Sequence, residues 1–303
     1  MSFVAIVLVV LSAVVHAGWN LLSKRQHPSA AFFLVASLTG ALLLSPALLL
    51  YLGSIVQEIP ARVWTFLLIT GFFLAVYYMA LAGAYRAGDI SVAYPLARSS
   101  PVIVVSVVTL MLGRGDQVSP LCVGGIILVV GGCFLIPLQR FRDLRLMNYL
   151  NPTCALALLA AVGTSGYSIV DDEALRQLRT YTQSTIGNTQ MTLVYACLEA
   201  LSASLWLFLF VTLRRSGRAS LSQVLRVNKP HAALAGVAIY LAYVLVLIAL
   251  AFANNVSYVV GFRQLSIPLG ATLGVLVLKE APTTPKIAGV IIVFVGLMLV
   301  AMG

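Results

Sequence analysis

The residues able to do chemistry in this chain are few, and the most informative are charges inside apolar runs. Arg98 lies eight residues into the run 90–112, a depth of about 12 Å at the helical rise. Arg263 sits at a similar depth in 256–278, and Glu199 near the middle of 188–213. A charge at a bilayer centre costs at least ~2.5–3.5 kcal/mol on insertion scales, so each needs a partner or a task. A guanidinium offers a planar two-donor fork that suits a carboxylate or a phosphate-like oxyanion. Two arginines against one glutamate leave a surplus positive charge. Two readings follow: an arginine binds an anionic solute, or it pairs with Glu199 and pins helices together. Glu199 is in turn either that counter-ion or a carboxyl that carries a proton through a cycle.

Other polar side chains share these runs. His16 precedes Asn20 by four residues, which puts both on one helical face beside Trp19. His16 reads as a packing residue or as part of a cavity wall. Tyr77, Tyr78, Tyr94, Tyr167, Tyr240 and Tyr243 also fall within the runs, with Tyr78 and Tyr243 at matching repeat positions. Mid-run tyrosines fit an interfacial belt poorly; they pack, or they offer an organic ligand a ring face and a hydroxyl. Gln264 and Ser266 add neutral donors near Arg263. Pro95, Pro101 and Pro268 interrupt the helical hydrogen-bond ladder and are gate candidates. Asp171-Asp172-Glu173 reads as a solvated helix end. No HExxH, GxSxG or P-loop occurs, and there are only three histidines, which argues against an enzyme and against intrinsic ATP drive. Cys122, Cys133, Cys154 and Cys197 lie singly in apolar runs and read as core residues, without a metal or disulfide framework. No cofactor is expected.

The elements that must position these groups follow from composition. Of 303 residues, 61% are hydrophobic and 9% charged, with mean hydropathy +1.02. A soluble domain carries about 25% charged residues, so a water-soluble globule, a disordered chain and a nucleic-acid-binding module are excluded. The net charge of +10 resides in short loops, whose natural partner is an anionic lipid surface. Ten windows of spanning length fit: 3–23, 30–52, 63–86, 90–112, 119–137, 152–174, 188–213, 231–253, 256–278 and 284–302. The first reads as a retained span, since a cleavable leader would have a basic start and a shorter core. The longest polar connections are expected at 138–151, 175–187 and 214–230. Such long runs are helices, because backbone polar groups must pair internally in lipid. The expected fold is all-α and integral to the membrane.

The chain also repeats itself. Residues 85–132 align with 250–297, Pro101 with Pro268, Leu112 with Leu278, and Gly124 and Gly131 with Gly289 and Gly296. Ala17-Gly18-Trp19-Asn20 aligns with Ser165-Gly166-Tyr167-Ser168. The expectation is two five-helix repeats, 1–140 and 150–303. Five is odd, so the copies insert with opposite orientation, as in many secondary transporters with a midplane site. The glycines around 124–125, 131–132, 289 and 296 read as small-residue stripes for helix packing or a dimer face.

These residues resemble the drug/metabolite transporter superfamily, specifically EamA-type ten-helix carriers. The resemblance rests on His16-Ala17-Gly18-Trp19-Asn20-Leu21-Leu22-Ser23-Lys24, Tyr94-Pro95-Leu96-Ala97-Arg98 with Pro101, Arg263-Gln264-Leu265-Ser266, and Leu278-Lys279-Glu280. It covers nearly the whole chain. One departure is Gly113-Arg114-Gly115-Asp116, where the family usually has Leu-Gly-Glu. The resemblance implies a multi-pass carrier of small metabolites, often an exporter, in a bacterial cytoplasmic membrane. The expected partners are a small-molecule substrate and membrane lipids, with no nucleic acid, and the chain acts as a monomer or homodimer. The expected mechanism is alternating access around Arg98, Arg263, Tyr78, Tyr94, Tyr243, Trp19, Asn20, Gln264 and Ser266. A flippase for a lipid-linked or amphipathic substrate is the alternative.

Loop charges bear on orientation. Loops on one face hold 13 lysines and arginines; the other face holds Arg62, Arg114, Arg176 and Arg179. The positive-inside rule then places both termini outside the cytoplasm, whereas the resemblance implies cytoplasmic termini.

Overall fold

The computed structural model describes residues 3–56, 59–111, 119–145, 147, 149–181, 187–251 and 265–302. Among them there is helix and turn and no strand. In chain order the helices are α1 Phe3–Arg25, α2 Ala30–Ile55, α3 Ala61–Ala87, α4 Ile90–Met111, α5 Pro120–Leu135, α6 Pro152–Tyr181, α7 Asn188–Thr212, α8 Arg215–Gln223, α9 Lys229–Ala251, α10 Ser266–Leu278 and α11 Thr284–Met302. Among the described residues, six helical stretches are long and apolar enough to cross a membrane: Phe3–Arg25, Ala30–Tyr51, Ala61–Ala87, Pro152–Leu178, Thr189–Thr212 and Arg215–Val246. Shorter apolar helices cover Pro120–Leu135, Ser266–Leu278 and Thr284–Val300. The chain is a multi-pass integral membrane protein.

Local sequence explains where helices begin and end. Ser29 caps α2, its Oγ accepting the Phe32 amide at 3.2 Å. Ser119 caps α5 by accepting the Cys122 amide at 3.1 Å, and Pro120 opens the first turn, where its missing N–H has no partner to lose. Asn151 does the same for α6, accepting the Cys154 amide at 3.0 Å. At the end of α10, Lys279 turns left-handed (φ 58°) and the Glu280 amide returns to the Gly274 carbonyl at 3.2 Å.

Two expected polar connections are largely helical. The helix α6 runs past residue 174 to Tyr181 because Ala174 and Leu178 continue its apolar stripe. They pack with Ile59, Val63, Leu67, Met191, Val194 and Tyr195. The polar residues of that stretch occupy another face, where Glu173 pairs with Arg176 at 2.5 Å. The segment 214–230 forms α8, then a π-helical turn Val224–Asn228, then the start of α9. The gate candidates also fall differently from a simple break. Pro95 and Pro101 lie inside a continuous α4, and the Ser99 hydroxyl donates to the Pro95 carbonyl at 2.7 Å. Pro268 lies in the first turn of α10, where the missing N–H costs little.

The chain forms two compact units, each drawing on both halves of the sequence. One comprises Met1–His27, Ala80–Ala161 and Leu241–Gly303, and the other Pro28–Met79 and Val162–Tyr240. In the first, α5 and α11 meet glycine on glycine. A Cβ on Gly125 would stand 2.6 Å from the Gly296 carbonyl oxygen, and one on Gly132 2.7 Å from that of Gly289. Pairing 125 with 296 and 132 with 289 makes the helices antiparallel. The stripe is therefore Gly125, Gly132, Gly289 and Gly296, while a Cβ on Gly124 or Gly131 meets open space. In the second unit, a Cβ on Gly71 of α3 would clash with Ser202 of α7, and one on Gly236 of α9 with the Ala36 backbone of α2. Close backbone approach of this kind is how helices associate where lipid is as apolar as leucine.

The glycine contact predicts a contrast between neighbours. Gly132→Leu must force α5 from α11 and should cost on the order of 1–3 kcal/mol. Gly131→Leu should leave stability unchanged. Thermal denaturation of both variants in detergent reads the difference.

Candidate functional site

Within the first unit, α1, α3 and α4 bring several of the singled-out residues together. Trp19 and Asn20 are buried on α1, and Tyr94 on α4. The Trp19 indole donates to His16 Nδ1 at 3.2 Å, the two rings meeting edge to face at 5.1 Å. The Asn20 amide donates to the His16 carbonyl at 2.7 Å, and its oxygen accepts the Tyr85 hydroxyl at 2.5 Å. The His16 and Tyr94 rings lie 6.2 Å apart. The half-buried His16 is thus held by an aromatic and amide frame whose members rigidify one another.

Helix register places the charge beside this frame. The helices α4 and α10 run antiparallel, with Ile90 and Ser91 against Gly274, and Tyr94 against Gly270. A Cβ on Gly270 would fall 2.4 Å from the Tyr94 ring, so only glycine admits that ring. One further turn sets Arg98 level with Ser266. The Arg98 Nε is buried and has no hydrogen-bond partner, and the same holds for the Oγ of fully buried Ser266. Arg98 makes no ion pair among the described residues. A half-buried guanidinium whose buried Nε donor has no partner, level with an unpartnered hydroxyl, is a competent receptor for an oxyanion.

A second group in this unit locks the turn between α3 and α4. Lys24 Nζ donates to the carbonyls of Tyr85 and Gly88 at the end of α3. The Glu280 carboxylate accepts the amides of Ile90 and Ser91 at 2.7 and 2.9 Å at the start of α4. Lys286, 3% exposed, donates to Asp89 at 3.2 Å and to the Ala281 carbonyl at 3.1 Å. A cation thus meets orphan carbonyls and an anion meets orphan amides, the favourable sense of both helix dipoles. Lys24 and Lys286 are consequently internal struts, although the sequence counts them as loop charges.

The second unit holds two carboxyl groups. Asp171 on α6 accepts the Thr70 hydroxyl of α3 at 2.6 Å and the Tyr195 hydroxyl of α7 at 2.7 Å. It is half-buried and lies ten residues before the helix ends, so the reading of 171–173 as a solvated end is corrected for Asp171. Glu199, four residues after Tyr195, is within electrostatic reach of Asp171. It makes no hydrogen bond or ion pair with a described residue. Tyr77, Tyr167, Tyr240 and Glu199 lie within electrostatic range of Tyr78, which stacks on Phe33 at 4.8 Å.

The singled-out residues therefore divide. Arg98, Tyr94, Trp19, Asn20, His16, Ser266, Pro95, Pro101 and Pro268 belong to the first unit, as does Tyr243 on α9, next to Ala242, whose carbonyl accepts Ser12 Oγ at 2.7 Å. Tyr78 and Glu199 belong to the second. Arg263 and Gln264 lie outside the described residues. Sequence reasoning missed Asp171, Tyr85, Lys286 and the capping role of Glu280. A signal for Asp171 was present: Tyr167 precedes it by four residues, as Tyr195 precedes Glu199.

Comparison with known proteins bears out the resemblance. Residues 3–138 match the EamA-like transporter family. A solved crystal structure aligns over 98% of this chain and 96% of its own, with a TM-score of 0.55 and 18% identity, a likeness of fold alone. No curated protein matches.

The clamp predicts a local stability effect. Glu280→Ala strands two amides of α4 and should cost about 1–3 kcal/mol, read as a lowered melting temperature. Glu280→Gln, which keeps an acceptor, should fall between it and the parent.

Proposed function

We propose that this EamA-like membrane transporter of small molecules is a secondary carrier for a small organic anion. It exports its solute across a bacterial cytoplasmic membrane by alternating access. The observation that carries the reading is Arg98: a buried Nε donor without partner, beside the unpartnered Ser266 hydroxyl and the aromatic frame of His16, Trp19 and Tyr94. The guanidinium takes the carboxylate or phosphate-like group, and the rings hold the organic body. Arg263, Gln264 and Tyr243 complete the binding set in this reading.

Two further observations support the mechanism. The glycines of α5 and α11 interlock antiparallel, Gly125 on Gly296 and Gly132 on Gly289, a pairing compatible with inverted repeats of five helices. The second unit offers the coupling group. Asp171 and Glu199 lie in membrane-spanning helices, and no cation pairs with either among the described residues. Two uncompensated charges there are expensive, and one exchangeable proton relieves the cost. In this reading the proton is what the carrier trades for its solute.

Lysine keeps the charge at position 98 and loses the two-donor fork. Arg98→Lys should therefore keep its helix content by circular dichroism and lose flux of small organic acids at least ten-fold in proteoliposomes. Parental flux in Arg98→Lys would reassign Arg98 to helix packing. Glu199→Gln should retain solute exchange in the absence of a gradient and lose transport driven by an imposed pH difference. Drive equal to the parent's would remove the proton from the mechanism.

A further inference from the structure

The first unit carries a groove that the transport reading leaves unused. It lies along α5 and is floored by Ile127, Leu128, Gly131 and Phe134, with Ile292 of α11 and Leu144 at its sides. Its volume is about 670 Å³, within the range of sites that hold one organic molecule. Ile127 is 65% and Phe134 50% exposed, and exposed apolar surface on a membrane protein meets acyl chains. Tyr149 closes one end: its hydroxyl donates to the Phe134 carbonyl and its ring meets that of Phe134 edge to face at 5.4 Å. A tyrosine so placed marks the headgroup level.

The charge changes at that end. Arg145 lines the apolar groove and also a second, polar pocket of about 640 Å³ with Arg142, Gln139 and Asp143. Asp143 accepts the Arg140 amide at 3.0 Å, so its carboxylate is engaged by backbone. Neither Arg142 nor Arg145 has an ion pair among the described residues. An apolar trough that ends at two free guanidiniums matches a molecule with a long hydrocarbon tail and an anionic head.

We propose that the trough along α5 and the Arg142–Arg145 pocket together form a binding site for one anionic phospholipid. The acyl chain lies over Gly131, where the missing side chain leaves room, and the phosphate sits between Arg142 and Arg145. The bound lipid braces the 138–150 connection against α5 and α11. This site does not depend on the nature of the transported solute.

The test uses the purified chain in neutral detergent, titrated with phosphatidylglycerol or phosphatidylcholine, with retained lipid counted by native mass spectrometry. The parent should retain one phosphatidylglycerol in preference to phosphatidylcholine. Arg142→Gln and Arg145→Gln should each weaken phosphatidylglycerol roughly five-fold, the effect of about 1 kcal/mol per basic residue near an anionic headgroup. Gly131→Leu fills the trough and should weaken both lipids while leaving the melting temperature of the lipid-free chain unchanged. Glycerol 3-phosphate, which has the head without the tail, should not stabilise the parent. Equal retention of the two lipids by the parent overturns the proposal, as does parental phosphatidylglycerol binding in both arginine variants. Stabilisation by glycerol 3-phosphate equal to that by the lipid makes the site one for a soluble anion and overturns it too.

Discussion

Hydrocarbon supplies no hydrogen bonds, and nearly every feature of this chain answers that constraint. Backbone groups pair along helices, so the described residues are helix and turn. Helix ends, where four amides or carbonyls lack partners, draw in side chains: Ser29, Ser119 and Asn151 at amino ends, Lys24 at the end of α3 and Glu280 at the start of α4. The same constraint makes exceptions informative. Several buried side-chain atoms of the described residues have no hydrogen-bond partner, and the Nε of Arg98 is the one among them that belongs to a permanently charged group, level with the Oγ of Ser266. An unserved donor in such a medium is a standing cost that a bound anion removes.

Packing works under the same condition. Leucine gains nothing by leaving lipid for leucine, so helices associate where small residues allow backbone contact. The pairs Gly125–Gly296 and Gly132–Gly289 join α5 to α11, and Gly71 and Gly236 play that part in the other unit. Each unit is built from both halves of the sequence. The helix α3 gives 61–79 to one unit and 80–87 to the other, and the Lys24–Glu280–Lys286 clamp grips the turn that follows it.

Much of this was legible in the sequence, for physical reasons. Composition alone demands a membrane, and the apolar windows locate the helices because length and hydropathy are local properties. The glycine stripe was legible to within one residue. The frame of His16, Trp19, Asn20 and Tyr94 was also visible, since polar side chains in apolar runs stand out against their surroundings. Averaged hydropathy hid the rest. The last turns of α6 carry Glu173, Arg176 and Gln177 on one face and Ala174 and Leu178 on another, and an average sees only the charges. Asp171 was misplaced for the same reason. Glu280 and Lys286 act on residues about 190 positions away in sequence, and no local pattern announces such partners.

The central claim is that a guanidinium in the membrane selects an anionic group on the solute. Counterflow in proteoliposomes with matched solutes, each small carboxylate against its primary amide, tests it without altering the protein. The account predicts that carboxylates exchange and that their amides, equal in size and lacking the charge, do not. Amides exchanging as fast as their carboxylates would contradict it.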